Sequence, residues 1–180
     1  MTEFFTLYTT PILSFFTVIL NIVTLPLLFA VIFPRHSFSF RVRNIIGPHA
    51  LSLGFLMALG SVLGSLIYSE IIGFDPCFLC WWERVFIYPQ LVIYAVGLYT
   101  KEKSVWIYSM VFALLTIIVS AYHTYIQLAG VESGVCSDAV VSCSKVYFLN
   151  YGYVTIPTMA LSAGIFFIVT ALLWRQYKTN

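Results

Sequence analysis

The sequence predicts an all-α integral membrane protein with five transmembrane helices. Three observations carry that prediction. Hydrophobic residues make up 61% of the chain against 9% charged, the mean hydropathy is +0.95, and five apolar runs reach spanning length. A soluble domain holds about a quarter charged residues, and a helical span takes about 20 apolar residues. The 180 residues therefore accommodate the spans with short connections and leave no room for a separate soluble domain. A formal net charge of +2 without a Lys/Arg cluster argues against nucleic acid as a partner.

The spans are predicted at 11–33, 47–69, 81–100, 104–129 and 155–174. Pro26 lies inside the first, where membrane helices tolerate proline at the cost of a kink. That first run lacks a basic leader, is too long for a signal-peptide core and shows no small-residue cleavage site, so it reads as a retained span. In the second span, Gly60 and Gly64 form a GxxxG element, read as close helix packing. Arg35, Arg41 and Arg43 mark the first break; Gly73, Asp75 and Pro76 the second; Lys101, Glu102 and Lys103 the third. A polar stretch of about 25 residues follows the fourth span. The chain has no internal repeat and no low-complexity segment.

Charge sets the predicted orientation. The odd connections and the tail hold Arg35, Arg41, Arg43, Lys101, Lys103, Arg175 and Lys178, against Lys145 alone in the even ones. Positive loops stay in the cytoplasm. The N-terminus and both cysteine-bearing loops are then expected outside, where disulfides form and persist.

Four cysteines fall in two close pairs, Cys77 with Cys80 and Cys136 with Cys143. The first pair opens the third helix directly after Pro76, where free backbone N–H groups and the positive end of the helix dipole favour a thiolate. Cys80 is the better placed of the two. Arg84 lies one turn deeper on the same face, positioned to stabilise a thiolate or polarise a carbonyl oxygen on a bound acceptor. The plainer alternative is an arginine that snorkels to headgroups and pairs with Glu83 or lipid phosphate. On the fourth helix Thr116, Ser120, His123 and Gln127 form one polar stripe. That stripe serves either as packing glue between helices or as a pocket whose donors face a quinone ring. Cys136 and Cys143 lie among Gly134, Ser137, Asp138, Ser142 and Ser144, a polar loop expected to reach water and a soluble partner. Two alternatives stay open: a structural disulfide closing a small loop, and a zinc ion held by all four sulfurs.

The run Pro76-Cys77-Phe78-Leu79-Cys80-Trp81-Trp82-Glu83-Arg84 resembles the signature of the DsbB family of disulfide bond formation proteins. Gly64 to Glu70, the second cysteine pair followed by Tyr147, and Gly152 to Pro157 resemble its short-loop BdbC branch. His123-Thr124-Tyr125-Ile126-Gln127 resembles the family's His-x-x-x-Gln element near its quinone. The likeness runs from about residue 50 to 174, and the combination is specific where a lone Cys-x-x-Cys is not.

The resemblance implies a four-helix transmembrane bundle over 47–180; residues 1–46 depart from the family pattern and add one extra transmembrane helix and its cytoplasmic connection. It implies a bacterial cytoplasmic-membrane enzyme that reoxidises an extracytoplasmic thioredoxin-like (DsbA-like) thiol oxidase and passes the electrons to membrane quinone, ubiquinone or menaquinone. Carried onto matching positions, the disulfides are Cys77–Cys80 and Cys136–Cys143. The partner attacks at Cys136, Cys143 attacks Cys77, and Cys80 becomes the thiolate facing quinone. Arg84, His123 and Gln127 are implied as quinone neighbours, and no metal is. Two alternatives have other signatures. A vitamin K epoxide reductase-like protein places its Cys-x-x-Cys after the loop cysteines, whereas here it comes first, and a membrane scaffold with structural disulfides or zinc would leave both pairs inert to quinone.

Overall fold

Lipid offers backbone amides no partner, so an apolar chain of this composition must satisfy them within its own helices. The computed structural model follows that rule over the residues it describes, 2–131, 136 and 141–179, with side chains from residue 7 onward. Six α-helices form: α1 (Thr2–Ile32), α2 (Ser37–Ile46), α3 (Ala50–Leu66), α4 (Phe78–Thr100), α5 (Val105–Ala129) and α6 (Ile156–Thr179). A 3₁₀ turn at Gly47–His49 joins α2 to α3, and a π turn at Ile67–Ile71 extends α3 toward the cysteines. Among the described residues the sole β feature is a bridge between Asn150 and Val154.

Two helices differ from expectation. α1 starts well before Pro11, which sits inside the helix and leaves the Leu7 carbonyl without its usual N–H, a loss that membrane helices tolerate. The first connection is mostly helical: His36 Nδ1 accepts the Phe38 N–H at 3.2 Å, capping α2 and its two arginines. Four stretches are long and apolar enough to cross a membrane: Leu7–Ile32, Ser37–Ile71, Val105–Ala129 and Ile156–Thr179. α4 has the length, 23 residues, but carries Glu83, Arg84 and Gln90. It turns Glu83 and Gln90 into the protein, where both are buried. The chain is a multi-pass membrane protein.

α3 packs on α4, α4 on α5, α5 on α6, and α6 back on α3, closing a four-helix ring; α1 lies against α6 from outside. α6 is the central post, with 61% of its spanning window buried against 28% for each of the other three. The ring's polar core centres on Tyr94, which is fully buried. Its hydroxyl accepts from Ser109 Oγ at 2.8 Å, meets Thr170 Oγ1 at 2.7 Å and donates to the Phe167 carbonyl at 3.2 Å, linking α4, α5 and α6. Gly54 on α3 lies flat against the Tyr94 ring, and any Cβ there would overlap it.

Close packing by glycine falls to Gly54, to Gly97 against Val105 and to Gly164 against Ile117, and the expectation for Gly60 and Gly64 is corrected. A Cβ at Gly60 would meet nothing within 4 Å, and one at Gly64 only Leu13 Cδ1 at 3.8 Å. No helix closes onto that face of α3. It borders open space instead.

Removing the Tyr94 hydroxyl leaves the Ser109 and Thr170 hydroxyls without their shared partner. Tyr94→Phe is expected to destabilise the protein by roughly 1 kcal/mol. Thermal unfolding in detergent checks it, and a midpoint equal to wild type would show that the three-helix link carries no stability.

Candidate functional site

Pro76 cannot continue a helix backward, and Cys77 follows it in an extended conformation as the N-cap of α4. Its Sγ accepts the Cys80 N–H at 3.2 Å, the interaction that a serine or aspartate makes at most helix starts. The helix-terminus advantage expected for Cys80 therefore falls on Cys77. Cys77 and Cys80 are joined in a disulfide, as are Cys136 and Cys143.

One turn into α4, Glu83 points inward to His123 on α5, with Oε1 and Nδ1 3.0 Å apart and both side chains almost wholly enclosed. Nε2 of the same ring lies 3.2 Å from the Cys143 carbonyl oxygen and 3.6 Å from Cys77 Sγ. Both ring nitrogens thus face acceptors. A carbonyl can only accept, so Nε2 carries a proton; the Glu83 contact needs a second, on Nδ1 or on the carboxyl. The imidazole thus connects the Glu83 carboxyl to the Cys143 carbonyl and the Cys77 sulfur.

The second cysteine pair is less open than a polar loop suggests. Cys136 is 8% exposed and Cys143 1%, because they pack with Cys77, Leu79 and Ile126 in one buried cluster bordered by Cys80, Val119 and Val141. Of the polar neighbours expected around them, Gly134, Ser137 and Asp138 lie outside the described residues, while Ser142 and Ser144 hydrogen-bond to each other at 2.8 Å. An aromatic stack ties the two cysteine segments together. Tyr147 lies on Phe74 with centroids 4.3 Å apart, Phe74 on Tyr68 at 5.7 Å, and Tyr147 Oη donates to the Asp75 carbonyl at 2.7 Å. Gln127 donates to the Lys145 carbonyl at 3.0 Å, fixing the same loop to the end of α5.

Cys80 borders that cluster and opens on its other side to a cavity. Of the four cysteines it alone lines a cavity of about 530 Å³ bounded by α1, α3, α4 and α6. That volume lies within the roughly 300–1,000 Å³ usual for small-molecule sites. Arg84 lines it too, its Nη2 donating to the Ser65 carbonyl at 3.3 Å and its guanidinium lying 5.1 Å from the Trp81 ring centroid. Tyr88 donates to Ser65 Oγ at 3.2 Å. The end at Cys80 is polar, with Asp75, Glu83, Arg84 and Tyr88, and the remainder is lined by Leu20, Val23, Met57, Ile87, Ala163 and Phe166. Such a lining suits a flat apolar molecule with acceptor oxygens at one end.

The sequence-predicted residues therefore divide into two groups. Cys77, Cys136, Cys143 and His123 gather on the α5 side of α4, and Cys80 and Arg84 on the cavity side. His123 and Gln127, expected beside the quinone, are not among the residues lining the cavity; the turn of α5 carries them to Cys77, Cys143 and the Lys145 loop. Thr116 and Ser120 bond back to their own helix, at Phe112 O and Thr116 O. Cys77, Cys80 and His123 bring ligand atoms within 4.8 Å of one another, a metal-like grouping, but zinc takes thiolates, and these sulfurs are bonded to each other. Glu83 is the residue that sequence reasoning undervalued, as a mere partner for Arg84. Its signal was available: a carboxylate inside a span needs a buried cation, and His123 is the one on the neighbouring helix.

A family model, Disulfide bond formation protein DsbB, matches residues 48–175. SPbeta prophage-derived disulfide bond formation protein B of Bacillus subtilis (strain 168) is 36% identical over 106 residues, 59% of this chain and 72% of that protein. Probable disulfide formation protein C 2 of Bacillus anthracis is 34% identical over 136 residues, 75% of this chain and 96% of the relative. Probable disulfide formation protein C of Halalkalibacterium halodurans is 36% identical over 129 residues, 68% and 91% of the two chains. No solved structure is a significant match.

The pairing is directly testable. Protein purified under air and alkylated before reduction is expected to take up no label, and after reduction to be labelled at all four cysteines. Peptide mapping that found a Cys80–Cys136 or Cys77–Cys143 link in the resting state would contradict the arrangement.

Proposed function

The chain belongs to the DsbB family of disulfide bond formation proteins, and from that premise we propose that it reoxidises a thioredoxin-like thiol oxidase outside the cytoplasmic membrane and passes the electrons to membrane quinone. One observation carries the reading. Cys77 and the Cys136–Cys143 disulfide share a buried cluster, and Cys80, which borders it, also lines a cavity containing Arg84.

The partner's thiolate attacks the Cys136–Cys143 disulfide at Cys136, the more exposed sulfur, making a mixed disulfide and freeing Cys143. The partner's second thiol resolves that link, and the partner leaves oxidised. Cys143 attacks Cys77, already in the same cluster, and the Cys77–Cys80 bond breaks with its electron pair on Cys80. Cys136 then reforms its bond to Cys143, releasing Cys77 as the second thiol of the pair. Two electrons have moved from the partner's dithiol to Cys77 and Cys80. His123 handles the proton of this exchange: 3.6 Å from Cys77 Sγ and hydrogen-bonded to Glu83, it protonates the departing Cys77 sulfur and recovers the proton on reoxidation. Bound quinone is the acceptor of two electrons and two protons. Arg84, held between Ser65 and Trp81, directs its positive charge into the cavity where a Cys80 thiolate and a carbonyl acceptor meet.

Orientation follows from the charges. Arg35, Arg41, Arg43, Lys101, Lys103, Arg175 and Lys178 lie at the end of the bundle opposite the cysteines, which we assign to the cytoplasm. Exposed Trp81 and Trp82 at the cysteine end, and Trp106 against Arg175 at the other, fit headgroup belts at the two interfaces. The N-terminus and both disulfides then face the oxidising side.

Anaerobic mixing of the oxidised protein with a reduced thioredoxin-like oxidase and a quinone is expected to bleach quinone absorbance in wild type and not in Cys80→Ala. Quinone left oxidised alongside an untouched partner defeats the reading and favours a structural role. His123→Gln keeps hydrogen-bonding capacity but is a poor proton carrier, and is expected to slow electron passage through Cys77 and Cys80, read as quinone reduction, about 10²-fold or more. A stopped-flow rate within about twofold of wild type would remove His123 from the proton path.

A further inference from the structure

α1 lies outside the family match, which begins at residue 48, yet it supplies one wall of the cavity beside Cys80. Leu13, Phe16, Thr17, Leu20 and Val23 line that wall, spaced at three and four residues and so on one face of the helix. Across from them α3 presents Gly60 and Gly64. Helices that merely pack in lipid close onto such glycines, but here a Cβ at Gly60 would touch nothing within 4 Å.

α1 is fastened to the 150–153 segment and to α6 while its trough-lining face stands off α3. Toward the cysteines, Asn150 Nδ2 donates to Ser14 Oγ at 2.9 Å and Asn21 Nδ2 to Tyr153 Oη at 3.2 Å. At the opposite end Gln176 Nε2 donates to the Val31 carbonyl at 3.1 Å. Along the face of α1 turned to α3 runs a trough whose charged groups lie at the Cys80 end. From Leu13 to Val23 it follows α1 for about 15 Å, at 1.5 Å per residue, with leucine, valine, methionine and phenylalanine on its walls. A ring seated at Cys80 would have a hydrocarbon trough leading away from it.

We propose that α1 forms the gripping wall for the isoprenoid tail of the quinone, turning an open groove of the four-helix bundle into an enclosed channel. The inference rests on the quinone reading above and deepens it. The occupant is a hydrocarbon chain attached to the head group at Cys80, because the trough is continuous with that site, its charged residues lie there, and the Thr17 and Ser61 hydroxyls further along are satisfied by their own helices.

The test uses the full chain in lipid nanodiscs with a quinone carrying a photoreactive group in its isoprenoid tail. After illumination, label is expected on peptides spanning 13–23 as well as on α3, and an excess of unlabelled tailed quinone is expected to remove it. Label confined to α3, α4 and α6 overturns the role of α1 while leaving the quinone reading intact. Label that resists competition makes the trough a general lipid groove and also overturns it. Failure of wild type to reduce either a tailed or a tail-less quinone defeats the underlying reading instead. Kinetics give an independent arm. Leu20→Trp from α1 and Gly60→Leu from α3 both fill the trough, and each is expected to lower the preference for tailed over tail-less quinone, in kcat/KM, by about tenfold. Ile22→Trp, on the 63%-exposed outer face of α1, is expected to leave that ratio unchanged. An unchanged ratio in both trough variants, with unfolding midpoints near wild type, counts against the proposal.

Discussion

Glu83 on α4 and His123 on α5 meet at 3.0 Å inside the bundle, and neither group is tolerable there without the other. A carboxylate in a span must be neutralised or protonated, so the pair fixes the register of α4 against α5 at the cysteine end. That register sets the remaining contacts. With His123 held by Glu83, its Nε2 reaches both the Cys143 carbonyl and Cys77 Sγ, and the loop carrying the second disulfide is drawn down onto the helix that starts with the first. The aromatic stack of Tyr147, Phe74 and Tyr68 then closes over segments already brought together. Losing one partner of a buried pair costs about 3–5 kcal/mol, more than the stack or a single loop hydrogen bond can return.

The two glycine faces of α3 show how one helix both seals and opens the bundle. At Gly54 the missing side chain admits the Tyr94 ring, whose hydroxyl joins three helices. At Gly60 the missing side chain admits nothing from the protein. Six residues along one helix thus separate a position where space is needed for packing from one where space remains as space. Sequence spacing alone cannot tell these apart, because a GxxxG pattern records only that the side chains are small.

Much of the architecture was legible for a simple physical reason: spanning runs need about 20 apolar residues, and this chain interrupts them with arginine, lysine and proline. The start of α4 was equally readable from Pro76 followed by Cys77. What the sequence concealed depends on rotation about helix axes. His123 and Gln127 share a stripe with Thr116 and Ser120, but which neighbour that stripe faces is decided by packing between α4 and α5. The burial of Cys136 and Cys143 was hidden too, since a serine-rich loop reads as wet until Leu79 and Ile126 are seen beneath it. α2 was missed because its polar face and two arginines make it look like a loop, and only the His36 cap betrays a helix start.

The Cys-x-x-Cys spacing gains its meaning from α4 having two occupied sides. At about 100° per residue, positions three apart differ by roughly 60° around the axis once a full turn is removed. The offset is small enough for a disulfide, yet it directs the two sulfurs to different surroundings. Cys77, capping the helix, faces the buried imidazole and the second cysteine pair, where thiol exchange needs a proton carrier. Cys80 also borders an apolar cavity that it shares with Arg84. The helix thus separates the thiol side of the protein from the lipid side while the disulfide connects them.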